Sequence, residues 1–128
     1  MGKRFLIDTN ILIYYGNNQL SQKSADIIEV ALLDSFNISV ITKLEYLGWR
    51  KHTEETYSAA VEFLSNANVI NLDEDIIASA IKIMRDNNIR LPDAVIASTA
   101  IVNKFALLTR NESDFKYLQS LQSINPFM

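Results

Sequence analysis

Short apolar runs alternate with amphipathic stretches of helical length along this chain, and that alternation admits few folds. Arg4 to Ile7 reads as a buried strand, followed at once by the polar turn Asp8-Thr9-Asn10. Ile11 to Tyr15 continues as a short helix, and Gly16 to Leu20 as a loop. Ser21 to Ser35 places Ile27, Ile28, Ala31 and Leu32 at helical spacing. Asn37 to Ile41 is a second strand, Thr42 to Arg50 a helix, and Glu54 to Ser65 another helix with Ala60, Phe63 and Leu64 inward. Val69 to Leu72 is a third strand. Asp73 caps a helix that runs to Asp86 and turns Ile76, Ile77, Ala80, Ile83 and Met84 inward. Pro92 opens a further helix from its first position, where a missing N–H costs nothing, and this helix runs to about Lys104. Ala106 to Leu108 is a fourth strand and Ser123 to Asn125 a short fifth.

Strands that alternate with helices build a parallel sheet covered on both faces. The expected fold is α/β: a three-layer α/β/α sandwich whose sheet has about five parallel strands in the order 3-2-1-4-5, joined by right-handed crossovers. In that order the first and fourth strands are neighbours, and the strand order reverses between them. Ligands bind at the carboxyl ends of strands at such a switch point. Four polar segments fall on that edge: Leu6-Ile7-Asp8-Thr9-Asn10, Thr42-Lys43-Leu44-Glu45, Leu91-Pro92-Asp93-Ala94 and Thr109 to Phe115. Brought together, Asp8, Glu45, Asp93 and either Asn111 or Asp114 surround one centre with oxygen atoms. Like charges packed so closely do not all stay ionised without a cation. Oxygen ligands with open water positions suit Mg²⁺ or Mn²⁺, and such a site is a device for hydrolysing phosphodiesters.

Composition narrows the alternatives. A chain of 128 residues, 48% hydrophobic and 21% charged, is expected to form one domain over residues 1–128. There is no cysteine, hence no disulfide framework and no thiolate zinc site. The single histidine, His52, excludes hydrolysis by a pair of imidazoles. A net charge of −3 argues against a general nucleic-acid coat but not against an enzyme acting on nucleic acid. After Lys3 and Arg4 the apolar run Phe5 to Ile7 is too short for a signal peptide, and no window approaches a membrane span. The cytoplasm is the expected compartment.

Each acid also has a plainer reading. Asp8 can cap a helix, Glu45 can be the return half of a capping box with Thr42, Asp93 can favour a helix dipole, and Asp114 can cap a turn. Each plain reading explains one residue, whereas a metal site explains the set and its place on one edge. His52 reads as a residue in a basic turn. Arg50, Lys51 and Arg110 are candidates for phosphate contact or for ordinary solvated charge. Tyr14, Tyr15, Tyr46 and Trp49 read as core packing first and as a homodimer surface second.

The ordered set of segments from Leu6 to Phe115 resembles the PIN domain family of metal-dependent nucleases, and at this compact length it looks most like the VapC-type toxins of toxin–antitoxin pairs. The resemblance implies a Mg²⁺- or Mn²⁺-dependent endoribonuclease with Asp8, Glu45 and Asp93 at the matched acidic positions, and a product bearing a 5′-phosphate. It implies a homodimer and a small antitoxin partner that blocks the active site. Many relatives carry a fourth acid two positions after the threonine; this chain has Asn111 there, with Asp114 one turn further along. The expected catalytic set is Asp8, Glu45, Asp93 and Asp114, with Asn111 as a further metal ligand. Asn111 leaves open a catalytically silent RNA- or protein-binding module on the same fold. A second alternative is a phosphatase with Asp8 as covalent nucleophile, although such enzymes carry an acid where this chain has Asn10.

Overall fold

The computed structural model describes residues 4–16 and 20–127; Lys3 and part of the expected loop after Gly16 lie outside the described residues. Five strands, β1 (Phe5–Ile7), β2 (Asn37–Ser39), β3 (Asn68–Ile70), β4 (Ala106–Leu108) and β5 (Ser123–Ile124), form one sheet in the order β3-β2-β1-β4-β5. Every pairing is parallel, with Leu6 opposite Asn37 on one side and Leu107 on the other. The helices are α1 (Thr9–Gly16), α2 (Gln22–Asp34), α3 (Val40–Leu47), α4 (Glu54–Leu64), α5 (Glu74–Asp86), α6 (Leu91–Asn103) and α7 (Glu112–Phe115). Among the described residues, no helix is long and apolar enough to cross a membrane.

Alternation along the strands sorts the two faces. Ile7, Ile38 and Leu108 point into a core with Ile11 and Leu12 of α1, Ile28 of α2 and Ala60 and Leu64 of α4. Leu6 and Leu107 point the other way, onto Ile96, Ala97 and Ala100 of α6, with Phe115 of α7. Ile76 and Ala80 of α5 then pack on Ala94 and Val95 of α6 as a second tier. Small residues on α6 let the sheet and α5 approach it from two sides, which is why Ala94 to Ala100 are all buried. The result is the expected three-layer sandwich.

Several boundaries differ from the sequence expectation. β2 stops at Ser39, not Ile41, because the Ser39 side chain accepts the Ile41 N–H and caps a helix that already begins at Val40. The β-branched pair Val40-Ile41 therefore belongs to α3, whose end at Leu47 also precedes the expected Arg50. β3 is shifted one residue earlier at its start and ends at Ile70. Ile77 is not inward: it is 37% exposed, while Ile76 and Ala80 carry the buried stripe of α5. Leu91 precedes Pro92 as the first residue of α6, which leaves Pro92 still within the turn where backbone N–H groups lack helical partners.

Ser39 is fully buried and is the cap of the helix that carries Glu45. Ser39→Ala is expected to lower the unfolding free energy by about 1 kcal/mol, read as a reduced midpoint in urea. A midpoint equal to that of the wild type would show that this cap contributes nothing.

Candidate active site

Parallel pairing delivers the first two groups. Ile7 lies opposite Leu108, so Asp8 and Thr109 leave the sheet side by side. The Asp8 N–H donates to the Leu108 carbonyl at 2.9 Å, which extends the ladder one residue past the strand. Thr109 Oγ1 donates to Asp8 Oδ2 at 2.7 Å across 101 residues of sequence. Asp8 Oδ1 accepts the Thr9 N–H at 2.7 Å, and Asn10 Nδ2 donates to Oδ2 at 3.3 Å. Asp8 is 5% exposed, so this is a buried carboxylate fixed at both oxygens. Burial pushes its pKa up to about 6; the Thr109 and Thr9 donors pull it back, and the charges of Asp93 and Glu45 raise it.

Glu45 enters from α3. Thr9 Oγ1 donates to Glu45 Oε1 at 2.7 Å and lies 3.1 Å from Thr42 Oγ1. The capping box expected for Thr42 and Glu45 does not form. Thr42 is instead the third residue of α3 and fully buried against Thr9, and Glu45 stands further along the helix with its side chain turned to α1.

Asp93 is the third residue of α6 and half-buried. Burial raises its pKa first, then the charges of Asp114 and Glu45, against a lowering by Arg90. Arg90, Asp93, Ser113, Asp114 and Tyr117 line a groove of about 430 Å³. Asn111 sits at the start of α7, exposed, and its side chain makes no capping bond. Its backbone N–H donates to Thr109 Oγ1 at 3.0 Å, so its contribution here is to hold the threonine that holds Asp8.

The acids of four separate segments thus face one edge and act on one another's charge. They are not a closed shell: among the described residues, no three acidic or imidazole side chains are placed together as an ion's ligands. The donor chemistry suits a hard divalent cation, because every ligating atom on offer is oxygen. Among the described residues, none of these acids forms an ion pair; Lys82 with Asp86 on α5 is the one salt bridge.

Other candidates lie elsewhere. His52 Nε2 is 2.7 Å from the Tyr46 carbonyl and Nδ1 is 3.1 Å from the Thr56 hydroxyl, beside an apolar groove of about 420 Å³ whose lining includes Trp49 and Phe63 and none of the acids. Tyr46 is core, and Tyr15 stacks on Phe63. Sequence reasoning missed the orienting roles of Thr9, Asn10 and Thr109. The available signal was a hydroxyl or amide beside each acid at the ends of two neighbouring strands.

The PIN domain family profile matches residues 5–120. A chain of a toxin–antitoxin complex from Klebsiella pneumoniae is 30% identical, covers 95% of this chain and 97% of its own length, and superposes with a TM-score of 0.75. VapBC-1 from nontypeable Haemophilus influenzae (23% identity, TM-score 0.82) covers 97% of this chain and 98% of its own. VapBC2 from Rickettsia felis, bound to a DNA fragment from its promoter (24% identity, TM-score 0.78), covers 94% and 97%. These two show the same fold. No curated protein sequence matches the chain.

Because Asp8 titrates near 6 when folded and near 3.8 in an unstructured chain, the folded protein holds more protons between those values. Stability therefore falls as pH rises through that window. In a chelating buffer, the advantage of Asp8→Asn over wild type is expected to grow by roughly 2 kcal/mol from about pH 4 to about pH 6 in urea unfolding. Parallel pH profiles for the two proteins would contradict the burial of an ionisable Asp8.

Proposed function

Since the chain belongs to the PIN domain family, we propose that it is a Mg²⁺- or Mn²⁺-dependent endoribonuclease, the toxin of a toxin–antitoxin pair, acting as one domain over residues 1–128. The observation that carries this reading is the arrival of Asp8, Glu45, Asp93 and Asp114 from four segments at one sheet edge, where Asp8 and Asp93 both have raised pKa values and no ion-pair partner among the described residues.

Asp8 and Asp93 would hold the ion, with Glu45 nearby and Asn111 or Asp114 completing the shell. Neither Glu45 nor Asp93 is fully buried, so side-chain adjustment at those two positions is what closing the shell requires. When bound, such an ion supplies an acidified water and neutralises charge on the phosphate. The chain's own groups do the rest. Thr109, Asn10 and the Thr9 N–H hold Asp8 in one orientation. The Thr9 hydroxyl holds Glu45, which accepts the proton of the attacking water. Water attacks phosphorus, the P–O3′ bond breaks, and the products carry a 5′-phosphate and a 3′-hydroxyl. Asp8 is a poor covalent nucleophile, since both of its oxygens already accept hydrogen bonds in a buried position.

Similarity to a chain of a toxin–antitoxin complex supports an antitoxin as partner. The aromatics first considered for a homodimer surface are engaged in packing, whereas Ile77 and Ile81 leave an apolar stripe on the outer face of α5 that supports a homodimer there.

Purified protein is expected to cut a structured RNA mixture with Mn²⁺ or Mg²⁺, to stop in EDTA, and to lose cutting in Asp8→Asn and Asp93→Asn while circular dichroism stays unchanged. Equal cutting in both variants would place the chemistry elsewhere, and absence of cutting by the wild type would favour a silent binding module. Expression without a partner is expected to slow growth; normal growth at confirmed soluble expression would contradict the toxin role.

A further inference from the structure

Arg110 follows the threonine that holds Asp8, and it is fixed more firmly than an exposed arginine needs to be. Its backbone N–H donates to Asn10 Oδ1 at 3.4 Å, and its carbonyl accepts from Asn125 Nδ2 at 3.4 Å. Its guanidinium carbon lies 4.6 Å from the centre of the Tyr14 ring and 4.5 Å from that of Phe127. The two rings meet edge to face, 5.6 Å apart, and form a notch around the cation. Among the described residues, the side chain has neither a carboxylate partner nor a hydrogen-bond acceptor, although the residue is exposed. A guanidinium held by cation–π contact with aromatic rings spends no N–H donor on a carboxylate and keeps them for an oxyanion.

Placement indicates which oxyanion. Asn10 and Tyr14 are about one turn apart on the same face of α1, about 6 Å along the axis. Asn10 touches Asp8, and Tyr14 touches Arg110. The cation is therefore tied to the buried carboxylate from two sides, through Tyr14 on the helix that carries Asn10 and through Thr109, the residue before Arg110, which donates to Asp8. A cation beside the acidic edge, and not within it, suits a phosphate next to the one being cut. An edge carrying Asp8, Glu45, Asp93 and Asp114 in a chain of net charge −3 repels RNA, so a fixed cation at its rim has a clear use. Arg90 is not free for this, since its charge is already felt by Asp93 in the groove they share.

We propose that Arg110, clamped between Tyr14 and Phe127, is a substrate-binding residue that holds a backbone phosphate of single-stranded RNA adjacent to the scissile one. This rests on the ribonuclease reading. Because the rings have already fixed the side chain, little rotamer freedom is lost on binding. A phosphate contact of this kind does not read base identity.

The test is binding of a labelled single-stranded RNA, followed by fluorescence anisotropy over a range of salt, beside steady-state cleavage in Mn²⁺. Arg110→Ala is expected to raise Kd and KM roughly tenfold with kcat near wild type, and to flatten the slope of log K against log salt by about 0.7. Arg110→Lys should restore the slope but not all of the affinity, because it keeps the charge and loses the planar fork. Tyr14→Leu should weaken binding with the slope retained. Unchanged Kd and slope in Arg110→Ala would overturn the assignment, as would a fall in kcat at constant KM, or a loss confined to binding of a protein partner. If the wild type cuts RNA and the variant matches it, only this inference fails. If the wild type neither binds nor cuts RNA, the ribonuclease reading fails and this inference goes with it.

Discussion

The pairing of β1 with β4 is the contact on which the site depends. Three residues near the start of the chain lie in register with three that come about a hundred positions later, and the ladder continues to the Asp8 N–H. A slip by one residue would turn Leu6 and Leu107 toward the wrong helical layer, so the hydrophobic core enforces the register. The same register sets Thr109 Oγ1 against Asp8. Packing energy thus positions a hydrogen bond that an isolated segment could not hold. The switch in strand order between β1 and β4 leaves a crevice there, and the helices after β2 and before β4 bring Glu45 and Asp93 to its walls.

Electrostatically the edge is costly. Asp8 is desolvated, and its neighbours in charge are acids. Hydrogen bonds from Thr109 and Thr9 recover part of the loss, yet burial wins and the pKa stays raised. A chain under selection for stability alone would place an apolar residue at that position. Strain of this sort is expected where binding a cation, or a substrate with its cation, supplies the missing stabilisation. Arg110 complements that design: it lies on the rim, fixed by rings and not by a carboxylate, so its charge is not cancelled within the protein.

Much of this was legible in the sequence because the strands are short, apolar and separated by helices with regular spacing. Alternation alone led to the parallel sheet, and the acids could be placed on one edge from their positions relative to the strands. What misled was local chemistry with two solutions. Val40-Ile41 has strand propensity, but Ser39 caps a helix in front of it, and that shifted Thr42 from cap to buried partner of Thr9. Ile77 fits the inward period of α5 as well as Ile76 does, and only the position of α6 decides between them. The clamp on Arg110 was illegible for another reason: Phe127 is distant in sequence and meets Tyr14 only through the fold.

All that is proposed for the site turns on a buried, proton-retaining Asp8 as the heart of a cation site. Calorimetric titration of Mn²⁺ near pH 6, in two buffers of different ionisation enthalpy, tests it most directly. The expected result is binding with release of protons, since the ion must displace those retained on Asp8, and loss of both binding and proton release in Asp8→Asn. No binding by the wild type, or the same binding and proton release in the variant, would contradict it.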